Sequence, residues 1–244
     1  MSKVPEITWH FWVTKVAATT LGETAGDAVS MSMGLGYLVG SAIFGVIFLL
    51  AVAAQIAAER FRPFLYWMTI VATTTVGTTL ADFADRSLGI GYAGGTSLLF
   101  ALLIGSLATW YYALGSVSMD TVTTGKAEMF YWMTIMFSQT LGTALGDWTA
   151  DTAGFGYLGS AVVFSALLVL ILAAYRWTSI SRTALFWTAF ILTRPLGAVV
   201  GDLLDKPVDA GGLALSRYAA SAVLTSFMVL CITFFPQRPA SRRH

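Results

Sequence analysis

One pattern, W-x9-G-x3-[GA]-D, occurs four times without a gap and confines the chain to an array of like units. Its anchors are the aromatic-Trp pairs Phe11-Trp12, Tyr66-Trp67, Tyr131-Trp132 and Phe186-Trp187, with tryptophans 55, 65 and 55 residues apart. Ten residues after each tryptophan stands Gly22, Gly77, Gly142 or Gly197. Fifteen residues after it stands Asp27, Asp82, Asp147 or Asp202, preceded by Gly26, Ala81, Gly146 or Gly201. A second landmark, Gly36-Tyr37, Gly91-Tyr92 and Gly156-Tyr157, opens the next apolar run; Arg217-Tyr218 follows a longer loop in the fourth copy.

Each unit therefore reads as a Trp-led helix, a short Gly-rich loop and a Tyr-led helix. The spacing predicts an all-α fold with helices near 8–29, 36–58, 65–84, 92–114, 129–150, 156–177, 184–204 and 213–235. Hydrophobic residues make up 57% of the chain and charged residues 11%, against about 25% charged in a soluble domain. Runs of roughly 20 apolar residues fit a bilayer core, so a polytopic membrane protein of about eight spans is expected, with the lipid bilayer as its first partner. Two helices return the chain to its starting side, so the units are parallel repeats. The polar stretch around 115–128 divides halves 1–125 (repeats 1–64 and 65–125) and 126–244 (repeats 126–183 and 184–244).

Loop charge sets the expected orientation. Lys3, Arg60, Arg62, Lys126, Arg176, Arg182, Arg238, Arg242 and Arg243 fall on the side of the termini, and only Arg86, Lys206 and Arg217 on the other. Both termini are expected in the cytoplasm of a cell with an inner membrane. The start of the chain has no basic region, apolar run and small-residue cleavage site in sequence, so the first helix is expected to be retained. The Trp and Tyr residues that begin the helices are expected in the interfacial belts.

Several chemistries are disfavoured by composition. A net charge of +1 gives no electrostatic case for nucleic acid. The single cysteine, Cys231, and the two histidines, His10 and His244, supply no zinc or iron–sulfur motif. No cofactor and no catalytic constellation are expected; a metal ligand set is left open, and a homo-oligomer is compatible with the sequence.

The candidate binding residues lie in the first helix of each unit. Carboxylates within a span usually face a partner or a wet cavity. Asp27, Asp82, Asp147 and Asp202 are expected near the helix C-termini, where the dipole opposes an acid and a bound cation or basic partner would relieve it. A cation site requires at least two of them, from different units, around one cavity with carboxylates roughly 4–8 Å apart. Asp85, Asp151 and Asp205 follow and are expected at the external mouth. Three charges break the repeat deeper down. Lys15 replaces Ile70, Ile135 and Phe190; Glu23 replaces Thr78, Thr143 and Ala198; Arg194 replaces Thr19, Thr74 and Gln139. Lys15, Thr19, Glu23 and Asp27 advance in steps of four on one helix face. Arg194 needs an acceptor, with Glu23 as the first choice, and Pro195 beside it predicts a kink or break. Thr20, Thr75, Gln139 and Thr140 add oxygen ligands at that depth, the type that suits hard cations. The paired small residues allow close helix approach.

The four motif copies and the N-terminal stretch KVPEITWHFWVTKVAATTLGETAGD resemble a bacterial family of membrane-anchored repeat proteins over nearly the whole chain. The resemblance implies a multi-span membrane protein of two-helix units. The family's activity is unassigned, so no site residue is carried over. The Arg194-Pro195 pair departs from the Thr-Thr and Gln-Thr of the other units.

The leading functional reading is a transporter or channel for a small hard cation, with or without proton coupling. It would use the odd-helix carboxylates with Arg194 as an internal counter-charge. The alternatives are a carrier of a small anionic or zwitterionic solute held by Arg194, or a non-catalytic membrane scaffold or sensor.

Overall fold

A computed structural model describes residues 2–89 and 91–240; Arg242, Arg243 and His244 lie outside them. The described residues hold eight α-helices and no strand: α1 (Trp9–Asp27), α2 (Gly36–Ala57), α3 (Pro63–Asp82), α4 (Gly91–Leu114), α5 (Gly125–Asp147), α6 (Gly156–Trp177), α7 (Arg182–Asp205) and α8 (Arg217–Phe234). Side chains of Thr8, Thr124, Ser181 and Ser216 cap the N-termini of α1, α5, α7 and α8, each occupying an otherwise orphaned backbone donor. The unit loops turn on paired glycines at positive φ, Gly34 with Gly36, Gly89 with Gly91 and Gly154 with Gly156. Nothing crowds them, so it is backbone conformation that favours glycine there.

The odd helices form a closed inner ring: α1 packs on α3, α3 on α5, α5 on α7 and α7 on α1. The even helices stand outside, each chiefly against the first helix of the following unit: α2 on α3, α4 on α5, α6 on α7 and α8 on α1. No unit is self-contained, as expected where a two-helix unit cannot bury its own apolar face.

The motif glycines explain the ring. A Cβ on Gly22 would strike Thr74, one on Gly77 would strike Gln139, one on Gly142 would strike Arg194, and one on Gly197 would strike Thr19. Each glycine is thus a socket for the residue seven places after the tryptophan of the next unit, and the fourth unit closes on the first. One turn on, Gly26 receives Thr78, Gly146 receives Ala198 and Gly201 receives Glu23. Small residues let the backbones approach closely, as between helices in lipid.

A second ring corrects the expectation for the tryptophans. Trp67, Trp132 and Trp187 are buried and Trp12 is half-buried. Each rests on the aromatic residue of the preceding unit: Phe11–Trp67 at 5.4 Å, Tyr66–Trp132 at 5.7 Å, Tyr131–Trp187 at 6.3 Å and Phe186–Trp12 at 5.8 Å between centroids. The motif Trp is a ring-closing residue, and not a belt residue. Aromatic exposure falls instead on side chains outside the motif, such as Trp9, Tyr112 and Trp177. The repeated tyrosines Tyr37, Tyr92 and Tyr157 are half-buried.

The two termini and the linker between units two and three meet at the tryptophan end. Ser2 donates to the Met119 carbonyl, and Lys3 donates to the carbonyls of Gln55, Ile56 and Ala58 at the end of α2 and pairs with Glu128 at 2.7 Å. The Glu6 amide bonds the Arg238 carbonyl at 2.8 Å. Trp67 donates to Gln237 and Trp187 to the Val117 carbonyl. The two termini and the linker between units two and three therefore cover one end of the inner ring. The unit loops close the other.

Two further expectations change. The first three odd helices do not end at their aspartates. A five-residue π turn follows in each, Ala28–Ser32, Phe83–Ser87 and Trp148–Thr152, and α7 continues to Asp205. Asp27, Asp82 and Asp147 are therefore interior and free of the supposed conflict with a terminal dipole, whereas Asp202 stands in the last turn of α7, as expected. Of the kink or break expected at Pro195, the break is absent: α7 runs through it, with the proline ring turned towards Gly142 of α5. A helix tolerates one missing donor where a neighbouring helix packs against it.

Six stretches are long and apolar enough to cross a membrane: Gly36–Ala57, Pro63–Ser87, Gly91–Leu114, Gly156–Trp177, Arg182–Asp205 and Arg217–Phe234. α1 and α5 fall outside that group; α1 carries Lys15, Glu23 and Asp27, and α5 carries Lys126, Glu128 and Asp147.

Candidate functional site

Residues in steps of four stack as tiers on the inward faces of the odd helices. From the tryptophan end they are Lys15, Ile70, Ile135 and Phe190; then Thr19, Thr74, Gln139 and Arg194; then Glu23, Thr78, Thr143 and Ala198; then Asp27, Asp82, Asp147 and Asp202. Every one is at most 3% exposed.

Arg194, wholly buried, is the hub. Its Nη2, with two N–H groups, is shared among three acceptors, Glu23 Oε2 at 2.9 Å and the hydroxyls of Thr78 and Thr143, while Nη1 donates to the Thr19 carbonyl. One guanidinium thereby touches all three other inner helices. The two partners owe their room to glycine, Arg194 lying in the Gly142 socket and Glu23 in that of Gly201. The expected Arg194–Glu23 pair is formed. Lys15 lies one tier away, fully buried, with its Nζ 4.1 Å from the centre of the Phe190 ring and no hydrogen-bond partner. The Gln139 amide is also buried without a partner.

Thr20, Thr75 and Thr140 do not join the tiers as ligands. Their hydroxyls bond carbonyls one turn back in their own helices, Val16, Val71 and Met136. That satisfies a buried hydroxyl locally; the inward position is one residue earlier.

The four aspartates are joined in two pairs, each by a lysine or arginine. Lys206 Nζ lies 2.5 Å from Asp27 Oδ2 and 3.0 Å from Asp202 Oδ1. Arg86 lies 2.8 Å from Asp82 Oδ1 and 3.6 Å from Asp147 Oδ2. Each clamping residue stands four places after the aspartate of its own unit, two or four, and reaches across to unit three or one. Burial disfavours the charged Lys206 ammonium, but the carboxylates of Asp202, Asp27 and Asp205 more than reverse this and hold its pKa above the ordinary lysine value. Glu23, Asp27 and Asp202 offer oxygens within 4.8 Å of one another, so aspartates of units one and four do converge.

The outer acids depart from expectation. Asp85 and Asp205 are buried and only Asp151 is exposed. Asp205 pairs with Arg217 at 2.8 Å, and Asp85 is pressed against Gly95 of α4. Sequence reasoning used Arg86 and Lys206 only as loop charges that set the orientation. Their spacing of four from Asp82 and Asp202 was the available signal for the clamps.

A family model matches four times in succession, at residues 10–61, 65–115, 130–181 and 185–238. The chain belongs to the Repeat of Unknown Function (DUF347) family. The four DUF347 matches coincide with the four units of the ring, so each repeat contributes one inner and one outer helix. No curated protein and no solved structure matches the chain.

Proposed function

We propose that this DUF347 protein is a polytopic membrane protein of eight spans that moves a small hard cation along the axis of its inner ring. The carrying observation is the Arg194 guanidinium, which bonds Glu23, Thr78 and Thr143 from three different helices at once. A charge held between all four inner helices is where a gate would block a central path, and intramembrane charges of this kind commonly belong to ion pathways. The reading is supported by large apolar side chains left exposed on the outer helices, among them Leu49, Leu50, Leu170 and Leu172. α1 and α5, too polar to face lipid all round, would cross inside that jacket.

The orientation with both termini cytoplasmic, in an inner membrane, rests on the excess of Lys and Arg on that side, Lys3, Arg60, Arg62, Lys126, Arg176, Arg182 and Arg238 against Arg86, Lys206 and Arg217. We read 1–125 and 126–244 as halves that each lend one clamp to the other. A hard cation is favoured over an Arg-bound anion because the Arg194 Nη2 is already committed to Glu23 and two threonines, while the far end of the axis is lined by carboxylate oxygens.

Reporter fusions after Arg60, Gly125 and Arg182 should report cytoplasm and one at Gly89 the opposite side; a periplasmic signal at Gly125 would refute the topology. Uptake of a panel of labelled alkali, alkaline-earth and manganese ions into proteoliposomes tests the activity. At least one should enter faster than into empty vesicles. Its rate should fall to background in the double variant Glu23→Gln, Arg194→Gln, and normal transport by that variant, folded, would reduce the pair to a structural contact.

A further inference from the structure

The carboxylates of Glu23, Asp27 and Asp202 approach within 4.8 Å, and a primary ammonium is lodged among them. Lys206 bonds Asp27 Oδ2 at 2.5 Å and approaches Asp202 Oδ1 at 3.0 Å. Asp27 is wholly buried, and its second oxygen, Oδ1, has no hydrogen-bond partner although it shares a carbon with the oxygen on Lys206. The ammonium leaves this buried oxygen without a partner, whereas a spherical cation takes six or more oxygen ligands and can draw on both oxygens of a carboxylate.

Charge points the same way. Arg194 balances Glu23, and Arg217 is closest to Asp205 and stands 3.8 Å from Asp27. Lys206 and Arg217 are thus left to serve Asp27, Asp202 and Asp205, one positive charge fewer than the carboxylates when all three are ionised. A monovalent ion in place of Lys206 would leave that deficit unchanged; a divalent one would remove it.

We propose that Glu23, Asp27 and Asp202 form a binding site for one hard divalent cation, and that the Lys206 ammonium is its built-in competitor, filling the site in this conformation. Lys206 is placed by the long fourth loop. Its carbonyl accepts from the Ala214 amide, and Gly212 lies so close to its backbone that a Cβ there would strike it. A shift of this loop withdraws the ammonium and frees the oxygens. A tethered competitor acts at an effective concentration of millimolar order, so the wild-type site binds an external ion weakly. The inference deepens the transport reading, but its test does not depend on flux.

The experiment is a Mn2+ titration of the purified full chain in detergent, followed by electron paramagnetic resonance of free Mn2+. Lys206→Met should bind one Mn2+ per chain about tenfold or more tighter than wild type, and Asp27→Asn added to it should abolish the gain. Lys206→Arg should behave as wild type. A folded Lys206→Met chain that binds no more Mn2+ than wild type overturns the proposal. The wild-type chain gives a second measurement should that variant not fold: a weak site at millimolar Mn2+ that Asp202→Asn removes is expected, and no Asp202-dependent site overturns the proposal equally. A chain that binds Mn2+ but transports no ion keeps the site and refutes the transport reading.

Discussion

The two carboxylate pairs at the far end of the inner ring occupy equivalent positions, yet they are closed differently. Lys206 has a side chain 11% exposed and reaches both its aspartates within 3.0 Å; Arg86 is 34% exposed and reaches Asp147 only at 3.6 Å. The local backbone accounts for the difference. Unit two carries a π turn after Asp82, and Arg86 rides on that turn. In unit four the helix stays regular to Asp205 and the long loop folds back over Lys206, with the amides of Leu213 and Leu215 bonded to the carbonyls of Leu203 and Leu204. One scaffold thus yields a sealed clamp and a half-open one. Exposure, more than the number of ion pairs, should decide what each contributes, because solvent screens exposed pairs.

The dry limit of that comparison is Arg194, and the largest effect is expected there. Glu23→Gln strands a fully buried guanidinium and should cost about 3–5 kcal/mol in a reversible unfolding measurement; the double variant with Arg194→Gln should cost less. A single variant as stable as wild type would mean that the pair is hydrated and would remove the standard against which the clamps are judged. Lys206→Met should come next, at about 2–3 kcal/mol without added metal, since it strands two buried carboxylates. Arg86→Met also strands two buried carboxylates but removes a more exposed cation, and should cost less, about 1–2 kcal/mol; equal costs for the two would erase the distinction between sealed and half-open. Gly142→Ala should cost about 1–3 kcal/mol, because its Cβ meets the near end of Arg194, which cannot swing aside. The smallest effect belongs to Thr140→Val. Its hydroxyl serves only its own helix, so unfolding should shift by about 0.5 kcal/mol or less and flux should not change.

Much of this was legible because it is local. Gly156–Trp177 falls on the expected span, and Gly91–Leu114 differs from it by one residue. The Arg194–Glu23 contact was readable because each residue breaks the repeat at a neighbouring depth. The Asp27–Lys206 contact was not: its members are 179 residues apart, and only closure of unit four on unit one brings them together. The tryptophans misled for a related reason. A Trp at the start of an apolar run has the same local signature whether it meets a lipid headgroup or the aromatic residue of another unit. The π turns left no mark in the hydrophobic pattern, because they shift the register only after the motif has ended.

The glycine sockets make the inner ring a closed train of meshed gears. Each inner helix is both driver and follower: its glycine receives a tooth from the next unit, and its own tooth sits in the glycine of the one before. In such a train one quadrant cannot widen alone without lifting a tooth from its socket, so a twist that begins at the Lys206 quadrant is carried round to the quadrant of Arg86. The turn per unit is fixed by closure as well. Gene duplication could lengthen an open stack one copy at a time; here a fifth copy would find no gap to enter, and four is the count at which this mechanism meshes.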